Sequence, residues 1–383
     1  MELIAHPINI GIKYQIMKSS TSIYLDASRL IAALIVFLSH VTSNEFNSTF
    51  PWVSIGHEAV VIFFVISGYV IAHVIQAREQ SVIYYASARL GRLYSVVVPA
   101  LILTWILDYI GREISPAVYQ HIPGDHSIVR ILISFLYLNQ IWNFTVIPLS
   151  NGPFWSLGYE FWYYMIFGAW CLLKGKQRII LTMLFCIIAG PRILAAFPVW
   201  LIGVSVYYFS KSYQPTPFIA RLIFVLSVIC MISILANGNP LDFLGDKFQE
   251  YFKDNYIHTS IIDIYLGDMP KLPADGLLGV IFGLSILNIG FINISIKSFE
   301  VIGAAIRYLA GSTFSIYLFH APLLYFTSAL LGANPAAINH VVLTGSIALT
   351  CCFLLAYISE RRLVYYRQFF LFALSSIWSK NKN

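Results

Sequence analysis

The stretch LDASRLIAALIVFLSH, residues 25–40, decides the fold. It is an apolar run with an arginine, Arg29, near its start and a histidine, His40, eleven positions later. A helix rising about 1.5 Å per residue puts the imidazole roughly 16 Å beyond the guanidinium, near the centre of a bilayer whose hydrocarbon core is about 30 Å thick. Eleven positions are about three turns of 3.6 residues, so both side chains share one face, and Asp26 lies one turn before Arg29. The helix therefore carries a polar stripe. Ionisable groups at that depth are costly and persist where they face a bundle interior or a water-filled cavity, which makes His40 a functional-site candidate. Arg29 has a plainer reading, snorkelling to the headgroups with Asp26 as its partner; His40 lies too deep for that.

The rest of the chain has the same solvent. Of 383 residues, 58% are hydrophobic and 11% charged, against about 25% charged in soluble domains. The apolar residues fall in long blocks with no period of two and no turn chemistry inside them, which excludes a transmembrane barrel. The expected fold is an all-α polytopic membrane helix bundle with about ten spans: 25–44, 58–76, 94–111, 154–173, 179–196, 198–210, 218–237, 276–294, 308–331 and 339–358. Pro191 and Pro198 interrupt the fifth and sixth, which read as a broken pair. The stretch 128–148 is expected to be re-entrant or only partly inserted. If it crossed, Lys174, Lys176 and Arg178 would lie opposite Arg78, Arg89 and Arg92, against the positive-inside rule.

That topology puts both termini and most Lys and Arg residues in the cytoplasm. The loop 238–275, with Asp242, Asp246, Glu250, Asp254, Asp263, Asp268 and Asp275, falls outside. The net charge of +6 is then a topology signal, which excludes a nucleic-acid footprint. The expected domains are a cytoplasmic segment 1–23, an integral-membrane domain 24–365 and a cytoplasmic tail 366–383, with no cleaved leader. The five cysteines all sit in apolar runs as small buried hydrophobes.

Beyond the first helix, four stretches carry chemistry-bearing residues. Phe63-Phe64-Val65-Ile66-Ser67-Gly68-Tyr69 contains two small residues that let a helix or ligand approach the backbone. Arg89 and Arg92, three apart, share a helix face and suit multidentate grip on phosphates, though positive-inside topology explains the same charges. Phe154 to Tyr164 places Glu160 in an aromatic belt at the outer end of a span, where it can serve as acid, base or hydroxyl anchor. Ser315 to His320 ends on a histidine at mid-span that can share a cavity with His40; Asp108 is a further intramembrane charge. No metal-ligand spacing, nucleophile elbow or phosphate-binding glycine loop is present.

At these residues the chain resembles the acyltransferase 3 family of integral-membrane O-acyltransferases, which includes polysaccharide O-acetyltransferases. Arg29 and His40 stand as its Arg-x10-His pair, led in by Leu25 to Ser28. Phe63 to Tyr69 resembles its FFxxSGF run, with Tyr69 in place of the usual Phe. Arg89 and Arg92 match its RxxR, with Ser95 where a proline commonly follows. Trp155 to Phe161 matches its WSLxxEF, and Ser315 to His320 its SxYLxH-like late helix. Order and spacing agree over roughly residues 24–365.

The resemblance implies transfer of an acyl group, usually acetyl, from cytoplasmic acyl-coenzyme A to a hydroxyl of an extracytoplasmic or lipid-linked sugar or polysaccharide. It implies an essential His40 and a donor site at Arg89 and Arg92. The chemistry fits. His40 can act as general base or carry the acyl group, Arg29 can grip a phosphate or the thioester carbonyl, and Glu160 can orient the acceptor. Asp26, Ser67 and His320 are supporting candidates. Acetyl-coenzyme A is expected as donor substrate, with no permanently bound cofactor and no metal. Some family members carry a fused SGNH hydrolase-like domain; without one here, the chain finishes the reaction alone or passes the group to a separate extracytoplasmic transferase. The expected location is the cytoplasmic membrane of a bacterium. Two other classes remain open: a transporter or flippase for a lipid-linked sugar with His40 and Glu160 as proton relay, and a polysaccharide polymerase, which the acidic outer loop disfavours.

Overall fold

The structure, a computed structural model, describes residues 17–43, 46, 55–77, 81–236, 243, 247, 271–292, 296–332 and 337–380. Expectations for residues 1–16, Arg78 and the acidic loop from Asp242 to Asp268 lie outside the described residues. The regular elements described are all helical: α1 (Ser19–Val41), α2 (Gly56–Ala77), α3 (Val82–Ile114), α4 (Ser127–Phe135), α5 (Trp155–Leu172), α6 (Gly175–Phe209), α7 (Pro217–Ala236), α8 (Leu272–Ile289), α9 (Ile296–Ala310), α10 (Thr313–Leu331), α11 (Ile338–Ile358) and α12 (Leu363–Lys380). Hydrocarbon offers no partner for a backbone N–H, so each spanning segment satisfies its own backbone as a helix. Eight helices among the described residues are long and apolar enough to cross a membrane.

Burial sorts them into a centre and a wall. The most apolar windows of α2 and α10 are 72% and 78% buried, whereas those of α6 and α7 are 17% and 22% buried. Large apolar side chains such as Ile102, Ile180, Ile229 and Leu354 point outward and are exposed, the pattern of a bundle solvated by lipid.

Helix α6 is two antiparallel arms. Gly190, at φ +78°, breaks it, and the chain reverses there. Ring contacts fix the directions: Trp162 lies against Phe185 before the break, whereas after it Tyr163 meets Phe197 and Phe167 meets Trp200. The arm 175–189 therefore runs antiparallel to α5 and the arm 191–209 parallel to it. The expected broken pair is present, with the reversal at Gly190–Pro191; Pro198 sits inside the second arm.

The stretch 128–148 does not cross as a helix. Its nine-residue α4 is about 14 Å long at 1.5 Å per residue. Irregular chain follows, with positive φ at Tyr137, Trp142 and Leu149. This chain docks into the α6 break: Trp142 N–H donates to Ala189 O at 3.1 Å, and Trp142 Nε1 to Ile187 O at 2.9 Å. A Cβ on Gly190 would come within 2.8 Å of Trp142 backbone atoms. The other end of the loop is tied by Asp108, which accepts the Ser150 N–H at 2.8 Å and the Ser150 hydroxyl, and by Asn151 Nδ2, which donates to Leu318 O at 2.9 Å. Asp108 is thus an anchor for the loop. Residues 363–380, which include most of the expected tail, form α12 alongside α3, with the Tyr94 and Phe370 rings 5.5 Å apart.

Helix α2 and the returning arm of α6 cross with backbones touching. A Cβ on Gly68 would lie 2.0 Å from Trp200 O, and one on Gly203 would lie 2.0 Å from Val65 O. The two glycines answer each other across the crossing, as small residues do at close membrane-helix contacts. Gly203→Val is expected to cost on the order of 3 kcal/mol by overpacking, read as a lower midpoint of thermal unfolding in detergent. Gly276→Ala, where an added Cβ meets nothing within 4 Å, should leave the midpoint unchanged.

Candidate active site

Pro153, in the short 3₁₀ turn Gly152–Phe154, precedes α5, so the helix starts cleanly at Trp155. Ser156, Glu160 and Tyr164 then recur every four residues and share one face. Val60, Phe63, Phe64, Ser67 and Ile71 form the matching face of α2. Between these faces, α1, α3 and α10 enclose a cavity of about 720 Å³ lined by Arg29, Arg89, Arg92, Ser67, Glu160 and Tyr317, among others. Four stretches scattered over the sequence thus meet in one space, and Tyr317 brings the late Ser315–His320 run to it.

Glu160 is held from two sides. Ser67 Oγ donates to its Oε1 at 2.9 Å, and the Tyr164 hydroxyl donates to the same oxygen. Trp200 Nε1, from the returning arm of α6, donates to Ser67 Oγ at 3.1 Å. Ser67 therefore relays the indole N–H to the carboxylate. The structure places Glu160 in the arginine cavity, five residues into α5.

The guanidiniums gather at one end. Arg89 is buried, with its charge over the rings of Tyr85 at 5.8 Å and Tyr164 at 5.9 Å. Arg92 lies within electrostatic reach of Tyr164, Glu160, Glu360 and Asp26. Arg29 faces Arg92 and has Asp26 Oδ1 at 3.7 Å. Like charges facing one another in a low-dielectric space make a site that favours an anion. Glu360 is otherwise engaged: its Oε2 accepts the Ser315 N–H at 2.9 Å and the Ser315 hydroxyl at 3.1 Å, capping the start of α10.

Deeper in the bundle stand two histidines. His40 and His320 have ring centroids 4.8 Å apart in an edge-to-face arrangement. His40 Nδ1 lies 2.9 Å from Val36 O, and His320 Nδ1 lies 2.9 Å from Ile316 O. A carbonyl oxygen only accepts, so each Nδ1 carries a proton, and in the neutral form of either ring the lone pair lies on Nε2. His320 is fully buried and its Nε2 has no hydrogen-bond partner among the described residues. His40 does not line the cavity. Tyr317 stands between, lining the cavity with its ring 6.3 Å from His320, while its hydroxyl donates to Pro153 O at 3.0 Å and meets Ser156 Oγ at 2.7 Å.

All the expected candidates except His40 and His320 border or approach the arginine cavity, and those two adjoin it through Tyr317. Sequence reasoning missed Tyr164, Trp200 and Glu360. Tyr164 was within reach, one turn beyond Glu160 on the same face. Trp200 and Glu360 are brought in by tertiary packing, and no local signal marks them.

Helices of this length around an intramembrane cavity that gathers three arginines and a glutamate define a multi-pass membrane protein. Residues 22–357 match the acyltransferase domain of the acyltransferase 3 family. The chain belongs to that family and is an acyltransferase. It is similar to an O-acetyl transferase of Shigella phage Sf6, 28% identical over 245 residues that cover 57% of this chain and 71% of the relative. It is also similar to the acyltransferase MdmB of Streptomyces mycarofaciens, 29% identical over 162 residues, 40% of each chain. No solved structure matches.

Ser67→Ala should strand the Trp200 indole N–H and take one of two donors from Glu160, at a cost of about 1–3 kcal/mol for a buried unsatisfied group. The expected result is a lower unfolding midpoint in detergent. Ser375→Ala, at an exposed serine that bonds only to Phe372 O of its own helix, serves as the unchanged control.

Proposed function

We propose that this acyltransferase moves an acyl group, acetyl in the first instance, from acyl-coenzyme A to a hydroxyl of an extracytoplasmic or lipid-linked sugar, in the cytoplasmic membrane of a bacterium. The observation that carries the reading is the convergence of Arg29, Arg89 and Arg92 on one cavity whose wall residue Tyr317 adjoins His320, the ring partner of His40. Three guanidiniums suit the phosphates of the nucleotide end of coenzyme A. The O-acetyl transferase name of the phage relative supports an oxygen acceptor and an acetyl group.

In this reading the arginine end faces the cytoplasm. The hydroxyl oxygen attacks the thioester carbonyl carbon, its proton passes to Nε2 of His40, and the carbon–sulfur bond breaks. The proton then leaves with the coenzyme A thiolate, so acyl-coenzyme A and an alcohol give an ester and free coenzyme A. A route through acyl-histidine reaches the same balance in two steps. Glu160, fixed by Ser67 and Tyr164, orients the acceptor hydroxyl. His320 and Asp26 support His40 and Arg29, respectively. A separate extracytoplasmic transferase is a compatible partner for the product.

The test is acetyl transfer from isotopically labelled acetyl-coenzyme A in membranes with wild type or His40→Ala at matched levels, read by glycan mass spectrometry. Label on a glycan is expected with wild type, and at least a thousandfold less with the variant. Absence of label in both would reject the coenzyme A-to-sugar reading and point to another acyl donor or acceptor. Arg89→Ala combined with Arg92→Ala should weaken acetyl-coenzyme A binding at least tenfold, measured by calorimetry in detergent. Unchanged affinity would remove the donor from this cavity.

A further inference from the structure

A second cavity lies at the opposite end of the bundle, with His57, Arg192 and Asp275, which neither the sequence motifs nor the arginine site employs, in its wall. At the start of α2, His57 Nε2 lies 3.0 Å from each carboxylate oxygen of Asp275, in the first turn of α8. Just past the reversal of α6, Arg192 donates to Phe144 O at 3.2 Å and to the Thr145 hydroxyl. Trp155 and Tyr159, one turn apart on α5, present rings 5.3 Å apart at 88°. These groups border a space of about 470 Å³. It shares Trp155, Tyr159 and Arg192 with a further space of about 690 Å³ beside Gln140 and Thr145 of the loop docked at the α6 break.

Two residues, Val60 and Phe64, line both this space and the arginine cavity, so the cavities are neighbours across a single layer of side chains. Phe64 is the larger part of that layer, packed against Trp155, Tyr159 and Tyr163 with centroids 6.4, 6.3 and 5.7 Å away. A group entering from the far end thus comes within one side chain of Glu160 and Ser67.

The lining selects the chemistry of the occupant. Asp275 is matched by His57, and Arg192 is engaged by the loop, so no cluster of like charge is offered to a polyphosphate. A lipid chain would have no use for an ion pair, a guanidinium and an amide. Flat aromatic faces set among planar polar groups suit a molecule with apolar C–H faces and many hydroxyls. We infer that this far-end cavity is the acceptor subsite and takes uncharged, hydroxyl-rich saccharide units, with Phe64 dividing it from the donor. The inference rests on the coenzyme A-to-sugar reading above.

The experiment uses the full chain in nanodiscs with labelled acetyl-coenzyme A. As acceptor probe it uses envelope polysaccharide from the expressing cells, stripped of esters by mild alkali. Asp275→Asn removes the charge that holds His57, and Ala196→Phe fills the cavity without deleting a bond. Both should raise the KM for polysaccharide at least tenfold, with the Kd for acetyl-coenzyme A within twofold of wild type, which also reports an intact fold. KM unchanged in Ala196→Phe, or donor affinity weakened in step with KM in both variants, would overturn the subsite. No transfer to polysaccharide by the wild type would instead bring down the parent reading, and the subsite with it.

Discussion

The close crossing of α2 with the returning arm of α6 is the constraint on which the site depends. Only because Gly68 and Gly203 let the two backbones touch can the Trp200 indole reach Ser67, and only then is Ser67 oriented to hold Glu160. Van der Waals contact between helices, the main attraction available where lipid solvates apolar groups as well as protein does, is here converted into the placement of a carboxylate. The serine and glycine of the Phe63–Tyr69 run divide the work: Ser67 faces the cavity, and Gly68 faces the neighbouring helix.

Around that crossing the bundle separates charge by depth. The guanidiniums gather at one end, the imidazole pair lies further in, and aromatic rings fill most of the space between. Several of the charged groups inside are engaged or face a cavity, which is how a membrane bundle carries such groups without prohibitive cost. Asp108 and Glu360 show the engaged case: both carboxylates are spent on serine backbone and side-chain donors at the ends of loops and helices.

Much of this was legible in the chain. Long apolar blocks marked the helices, and an eleven-residue interval marked the deep histidine. A spacing of three placed Arg89 with Arg92, whereas the four-residue interval from Glu160 to Tyr164 went unread. The re-entrant stretch was legible through charge: the positive-inside pattern disfavoured a crossing at 128–148, and the nine-residue α4 agrees. What hydropathy does not encode is which faces meet. It left the break of α6 between two prolines, whereas the glycine beside the first one, at positive φ, makes the reversal. Nor does any local pattern join His57 to Asp275, 218 positions apart, or Trp200 to Ser67, 133 apart.

The docking of the 139–147 loop into the reversal at Gly190 also sets an order of assembly. The loop precedes its dock in the chain, so while α5 and the first arm of α6 are entering the membrane the irregular backbone at Trp142 has no acceptor at Ala189 and Ile187. Its other tether, Leu318, emerges later still. Biogenesis therefore passes through intermediates in which helices are inserted but the chamber has no wall on the loop side. A nascent chain of this kind holds its arginines before it holds the histidine pair, since His320 joins His40 only when α10 arrives, and so the enclosed site exists only after most of the bundle is in place.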